Sequence, residues 1–194
     1  MNNFPFTYEG KTYWYSRSVA CTMYLFIYCK FERRWYILIS KRGKGCPSNV
    51  GKLNCPGGYL DFNESLEDGA RRECYEETGI QYNGPLHLAA ISTNLNSTSQ
   101  NVVCSFYGVE EVDTTDAIEC KFSMEHNEPD EVEDIELLDL EDLFTWHAHY
   151  HGAFAFGHDD MIREIFKKRI NISWIKKLII RWGEKLSKID LRIS

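Results

Sequence analysis

Apolar and polar positions follow two rhythms along this chain, and the change between them near residue 63 is the first clue to its organisation. Aromatics flank Glu9-Gly10 in the segment Phe6–Ser16, a pattern that predicts a short hairpin. Two runs of β-formers follow, Ser18–Tyr28 and Trp35–Ser40, separated by the polar link Cys29–Arg34, and these predict adjacent strands. Lys41–Lys52 is basic, glycine-containing and irregular, which predicts an exposed loop. Leu53–Leu60, with Pro56-Gly57-Gly58 inside it, predicts a strand running into a tight turn. From Asn63 the period becomes helical. Leu66, Ala70 and Cys74 recur with charges between them, Asn63 can serve as N-cap, and Gly79 stands where the helix should stop. His87–Ser92 and Val102–Val109 read as further strands joined by the polar Asn94–Asn101. Residues 110–134 lack a period and are expected to be mostly loop or edge. Ile135–Leu138 is a last short strand, and Asp139–Leu143, Asp159–Lys168 and Ile172–Lys188 have helical character. Mixed strands and helices without an internal repeat predict an α/β fold, a sheet covered by helices on both faces.

Composition sharpens this picture. At 194 residues, with 43% hydrophobic and 26% charged residues, one globular domain with a small appendage is expected. The division is placed at 1–157 and 158–194. No run approaches the roughly 20 apolar residues of a membrane span, and the N-terminus lacks a secretory pattern, so a cytoplasmic protein is expected. Seven cysteines form neither a C-x-x-C pair nor a zinc-like spacing, and they are read as reduced, mostly buried thiols. The net charge of −7 is uneven: residues 110–142 hold fifteen Asp or Glu and one Lys, whereas 163–194 hold ten Lys or Arg and three acids. The overall sign disfavours general nucleic-acid binding.

The chemistry is concentrated in Gly58–Ile80, GYLDFNESLEDGARRECYEETGI. On a helix, Glu73, Glu76 and Glu77 share one face with Cβ atoms only about 5–6 Å apart. Three like charges so placed cost helix stability, so stability does not explain them. A divalent cation removes the repulsion, and oxygen-only ligands select a hard one, Mg²⁺ first and Mn²⁺ next. A cation held by carboxylates neutralises charge on a diphosphate, polarises phosphorus and lowers the pKa of a bound water. Gly57 and Gly58 fit the same chemistry, because glycine lets main-chain groups approach a metal or phosphate closely. Arg72 offers a fixed fork of donors able to hold Glu64 or one of the cluster carboxylates.

The stretch resembles the Nudix box, which reads Gly, five residues, Glu, seven residues, Arg-Glu-apolar-any-Glu-Glu-any-Gly-apolar. Gly58, Glu64, Arg72, Glu73, Cys74, Glu76, Glu77, Gly79 and Ile80 stand at the required places, with Cys74 where the family usually has Ile, Leu or Val. An exposed helix rich in Arg and Glu is commonplace, but that reading explains neither the glycines nor the crowded charge. The resemblance implies a Nudix-type α/β/α sandwich with a mixed sheet, here with a C-terminal helical extension. It further implies a hydrolase acting on a nucleoside diphosphate derivative, an ADP-sugar or a nucleotide. Glu73 and Glu77 would be the main metal ligands, completed by Glu76 and the Gly57 carbonyl, with Arg72 and Glu64 orienting the cluster. Family members often take the general base from a distant loop. The acidic loop offers Glu125, Glu128 and Glu131, of which Glu131 is preferred for its place just before the strand Ile135–Leu138.

Several features compete with this reading. His147, His149 and His151 could form another metal site, although neighbouring Trp146, Tyr150, Phe154 and Phe156 favour packing. The C-terminal helix, apolar through Ile175, Leu178, Ile179, Trp182 and Leu186, is expected to pack on the domain or on a second subunit, which makes a homodimer plausible, while Lys176, Lys177, Arg181, Lys185 and Lys188 on its other faces leave an anionic surface, lipid or nucleic acid, as the alternative partner. Its length is short for a DNA-binding domain, which weighs against a nucleotide-sensing regulator that binds without turnover. Trp14, Tyr15 or Phe106 could stack a base, with core packing the more ordinary role. The positions past the box, Asn94 and Leu95, lack the Pro typical of ADP-ribose enzymes, and no NADH-type sequence follows, so the substrate stays open within nucleotide derivatives.

Overall fold

The computed structural model describes residues 4–15, 18–93, 102–145, 150 and 152–170. The chain divides into two compact units, Met1–Phe156 and Gly157–Ser194.

In the first unit, β1 (Phe4–Tyr8) and β2 (Lys11–Tyr15) form the expected antiparallel hairpin, with Glu9 and Gly10 both at positive φ in its turn. The main sheet has seven strands: β3 (Val19–Cys29), β4 (Arg34–Arg42), β5 (Leu53–Asn54), β6 (Gly57–Tyr59), β7 (His87–Ser92), β8 (Val102–Val112) and β9 (Val132–Asp139). β3 is central. It runs parallel to β8 along its whole length and antiparallel to β4 and β6, so the sheet is mixed.

Side chains alternate across this sheet and both faces are covered. Cys21, Met23, Leu25 and Ile27 of β3 join Leu38 of β4 and Cys104 and Phe106 of β8 in one cluster, against Ala70 and Cys74 of helix α1 (Leu66–Thr78). Tyr24, Phe26, Ile37 and Ile39, of the opposite parity, are equally buried. The same unit holds the short helices α2 (Asp116–Glu119) and α3 (Leu140–Thr145), and α3 packs against β4 and β9. This is the α/β/α sandwich that the resemblance implied. In the second unit, α4 (His158–Ile165) opens from Gly157 in the left-handed conformation and widens into a π-helical turn at Phe166–Ile170.

Several boundaries differ from the expectations. The N-cap of α1 is Ser65, whose side chain accepts the Asp68 N–H; Asn63 sits two residues earlier at φ 66°. The single strand expected at Leu53–Leu60 is two, because Pro56 has no N–H to donate and the halves pair with different partners. Strands β8 and β9 extend into the acidic segment, where Glu110 and Glu111 align with Ile27 and Tyr28 of β3. Ladder pairing there prevails over local polarity.

Of the cysteines, all are free, six are buried and Cys120 is exposed, as expected of reduced thiols. Among the described residues no helix is long and apolar enough to cross a membrane. The histidine run 147–151, the segment 94–101 and the helix expected at 172–188 lie outside the described residues, except that Tyr150 is described.

Candidate active site

The site forms where the sheet opens. β3 and β4 pair directly only between Phe26–Cys29 and Arg34–Ile37. Beyond that, β6 pairs with β3 and β5 with β4, so the turn Cys55–Pro56 is wedged between the two long strands. This wedge requires a glycine at position 57, where a Cβ would lie 2.5 Å from the Cys21 carbonyl oxygen and 2.8 Å from the Thr22 Cα. Helix α1 crosses over the wedge and brings its acidic face down on it. Gly79, at φ 76°, ends the helix as expected, its N–H donating to the Tyr75 carbonyl.

Arg72 organises the outer half of the cluster, and every one of its guanidinium nitrogens is engaged. Nε donates to Glu64 Oε1 at 2.9 Å and Nη2 to Glu64 Oε2 at 3.1 Å, a two-point grip. Nη1 donates to Glu73 Oε1 and to Glu76 Oε2, both at 2.8 Å, and Nη2 also reaches the Tyr59 carbonyl at 2.9 Å. The sequence allowed Arg72 to hold one carboxylate; it holds three. This contact keeps the Glu64 carboxyl below the usual carboxylate range.

Glu77 forms the inner half, and it is almost wholly buried, 4% exposed. Its Oε1 accepts the Gly57 N–H at 3.0 Å, its Oε2 accepts the Ser40 hydroxyl at 2.7 Å, and the Asn54 amide lies 3.5 Å from the same oxygen. Burial pushes Glu77 up to about 7, and the charges of Glu73 and Glu131 push the same way against the hydrogen bonds from Gly57 and Ser40. Glu73 is also pushed up to about 7, chiefly by burial, with Glu76 and Glu131 adding to it and Arg72 opposing. Glu131 is raised by burial first and by Glu128 and Glu76 besides.

One guanidinium therefore serves Glu64, Glu73 and Glu76, while Glu77 and Glu131 add further negative potential. This all-oxygen donor set fits a hard divalent cation. Among the described residues no three His, Cys, Asp or Glu side chains converge on one point as they stand. Arg72 draws Glu73 and Glu76 toward itself while Gly57 and Ser40 hold Glu77, so a shared ion requires Glu73 and Glu76 to turn from the guanidinium.

The second glycine of the pair has a different role from the first. A Cβ on Gly58 would lie 2.6 Å from Glu73 Oε1 and 2.7 Å from its Oε2, so the bare α-carbon makes room for that carboxylate. Gly58→Ala is expected to displace Glu73 and lower turnover about 10- to 100-fold. Only a flexible side-chain end must move, so the melting temperature should stay within a few degrees. Steady-state kinetics beside a thermal melt checks this, and wild-type turnover would show that Glu73 does not need that position.

Of the acidic-loop candidates, Glu125 and Glu128 are exposed and Glu131 is half-buried, with its charge felt by Glu73 and Glu77. The Glu131 carbonyl accepts the Gly43 N–H at 2.7 Å and the Cys46 thiol at 3.2 Å. The other end of this loop is tied to α1. Ser123 N–H donates to the Thr78 carbonyl at 3.0 Å, Asn127 donates to the Glu77 carbonyl at 3.4 Å, and His126 stacks on Tyr75 with Nε2 2.8 Å from its hydroxyl. Ser40, Asn54, His126 and Asn127 were not singled out from the sequence, where nothing in spacing connects them to the box. Phe106, a candidate base-stacking residue, is 2% exposed in the core.

A search among curated proteins finds no match to this sequence. Solved structures share the fold at low identity. The NUDIX domain of Shewanella oneidensis NrtR, complexed with ADP ribose, is 16% identical with a TM-score of 0.60, over 79% of this chain and 89% of that one. NrtR from the same organism, complexed with a 27mer DNA, is 17% identical with a TM-score of 0.56, over 77% of this chain and 61% of that one. A bifunctional NMN adenylyltransferase/ADP ribose pyrophosphatase from Francisella tularensis, complexed with AMP and a Mn ion, is 14% identical with a TM-score of 0.57, over 79% of this chain and 42% of that one. The family model for the NUDIX domain matches residues 23–163 and so takes in the wedge, the box helix and the acidic loop; the chain belongs to the Nudix hydrolase family.

Proposed function

We propose that this protein hydrolyses a diphosphate linkage in a nucleoside diphosphate derivative, an ADP-sugar or a nucleotide, with Mg²⁺ or Mn²⁺ as cofactor. The observation that carries this reading is the crowding of Glu73, Glu76 and Glu77 on α1 with one guanidinium between them and Glu64. Glu73 and Glu77 are the principal ligands in this reading, joined by Glu76 and the Gly57 carbonyl. The ion, when bound, supplies positive charge against the diphosphate and lowers the pKa of an attacking water.

The protein's own groups do the rest. Arg72 and Glu64 hold the outer carboxylates on one side of the helix and limit their motion. Gly58 leaves room for Glu73, and with Gly57 it lines the approach for substrate phosphates. Glu131, raised above the usual carboxylate range at the rim of the cluster, accepts the proton from the attacking water. The leaving phosphate departs with its own oxygen and needs no further acid when it leaves as an anion. A homodimer, a cytoplasmic location and a separate C-terminal unit from residue 158 belong to the same reading.

A second reading, a nucleotide sensor that binds without turnover, is favoured by the likeness to the NrtR domain, which was solved with ADP ribose. That likeness also reopens nucleic acid as a partner, because NrtR was solved with DNA. The intact box favours the enzyme. A panel of ADP-ribose, NADH, dinucleoside polyphosphates and dNTPs, assayed with Mg²⁺ for release of phosphate or nucleoside monophosphate, decides between them. Turnover of at least one compound is expected; binding without turnover across the panel would establish the sensor instead.

A further inference from the structure

We infer that Ser40 and Asn54 are positioning residues for Glu77, fixing its carboxylate for the cation; this rests on the reading of Glu77 as a metal ligand. The α1-facing row of β4 runs Tyr36, Leu38, Ser40, and its first two members pack against the apolar cluster beneath the helix. Register extends the row sideways. Asn54 of β5 is the cross-strand partner of Ser40 on one side and Ile135 of β9 is its partner on the other. Ser40 is 0% and Asn54 2% exposed, in a place where an apolar pair would pack without polar atoms to satisfy.

The hydrogen bonds of this pair converge on one group. Ser40 Oγ lies 2.7 Å from Glu77 Oε2 and 3.2 Å from Asn54 Oδ1. Asn54 Nδ2 donates to the Cys55 carbonyl at 3.0 Å, which fixes the amide's orientation, and its nitrogen lies 3.5 Å from Glu77 Oε2. With the Gly57 N–H on Oε1, the carboxylate is gripped at both oxygens by groups on the two short strands of the wedge and on β4. The two carboxylate oxygens have two lone pairs each, so these three donors leave one, on Oε1, for a cation while the side chain is held in place. Among the described residues, by contrast, Glu73 and Glu76 take hydrogen bonds only from Arg72.

The test is Mn²⁺ affinity, read from the free-ion electron paramagnetic resonance signal, together with kcat, KM and the melting temperature. Three proteins are compared with wild type: Ser40→Ala, Asn54→Ala and Glu77→Gln. Partners of metal ligands are worth about 10- to 100-fold in affinity. Ser40→Ala is therefore expected to weaken Mn²⁺ binding about tenfold and lower kcat with KM for substrate little changed, in a protein that melts near the wild-type temperature. Asn54→Ala, whose contact is longer, should give a smaller loss in the same direction. Wild-type Mn²⁺ affinity and kcat in both, with a lower melting temperature alone, would overturn the inference and leave the pair a structural one. Glu77→Gln separates the two levels. If it weakens Mn²⁺ binding while Ser40→Ala does not, only the positioning role fails; if it binds Mn²⁺ as wild type does, the ligand assignment fails and the positioning role with it.

Discussion

Glu77→Gln is expected to lower turnover with Mg²⁺ by at least about a hundredfold, because even the partners of metal ligands are worth 10–100-fold and this residue is assigned as a ligand itself. The folded protein should survive the change. Glutamine keeps an oxygen to accept the Gly57 N–H, and its amide can donate to Ser40 Oγ, so the two shorter hydrogen bonds of the buried side chain keep a counterpart. What disappears is a negative charge at a site where burial and Glu73 both oppose one. Steady-state kinetics and a thermal melt on the same preparation check both halves. Turnover within a few-fold of wild type would remove Glu77 from the metal site.

The second large effect is on stability, and it runs opposite to the usual behaviour of carboxylates. Glu73 and Glu77 are each raised from 4.5 to about 7 without a cation. Between those values the folded state binds more protons than the unfolded state, so stability is fully present below pH 4.5 and is lost as pH rises through 7. For one carboxylate the loss is on the order of 3 kcal/mol, and the two are coupled, so their losses do not simply add. In chelator, the melting temperature should fall by roughly 5–10 °C between pH 4.5 and 8. Glu64, held below the usual range by Arg72, acts in the opposite sense only at more acid pH. Added Mg²⁺ or Mn²⁺ should offset the loss at the alkaline end, by about 2.7 kcal/mol at a concentration a hundredfold above Kd. Parallel melting curves against pH with and without the ion would contradict the account, as would an unchanged pH dependence in Glu73→Gln and Glu77→Gln.

The site was legible in the sequence where its causes are local. The helix is announced by the period of Leu66, Ala70 and Cys74 and by Gly79 at its end, and the crowded acids lie within five residues of one another. Arg72 was legible as a partner of these carboxylates, because a guanidinium so close to them in sequence has donors within reach of Glu64, Glu73 and Glu76. The N-cap lies two residues beyond Asn63, because Asn63 and Ser65 are both good capping residues and the bond from the Asp68 N–H selects Ser65. The limits of β8 and β9 were hidden because their acidic residues are held by pairing with strands far away in sequence. Ser40 and Asn54 were invisible for the same reason. Each is an ordinary strand residue until register sets the pair side by side under Glu77. The sequence offers Gly57 as a glycine that lets main-chain groups approach a metal or phosphate; the close approach seen at it is to β3, which spacing along the chain does not reveal.

Crystals grown or soaked with Mn²⁺ test the central claim most directly, through the anomalous scattering of the ion. A peak is expected between the carboxylates of Glu73 and Glu77, with Glu73 turned away from Arg72 to meet it. A peak elsewhere in the chain, at the histidines 147–151 for example, or none at the box helix at saturating Mn²⁺, would contradict it.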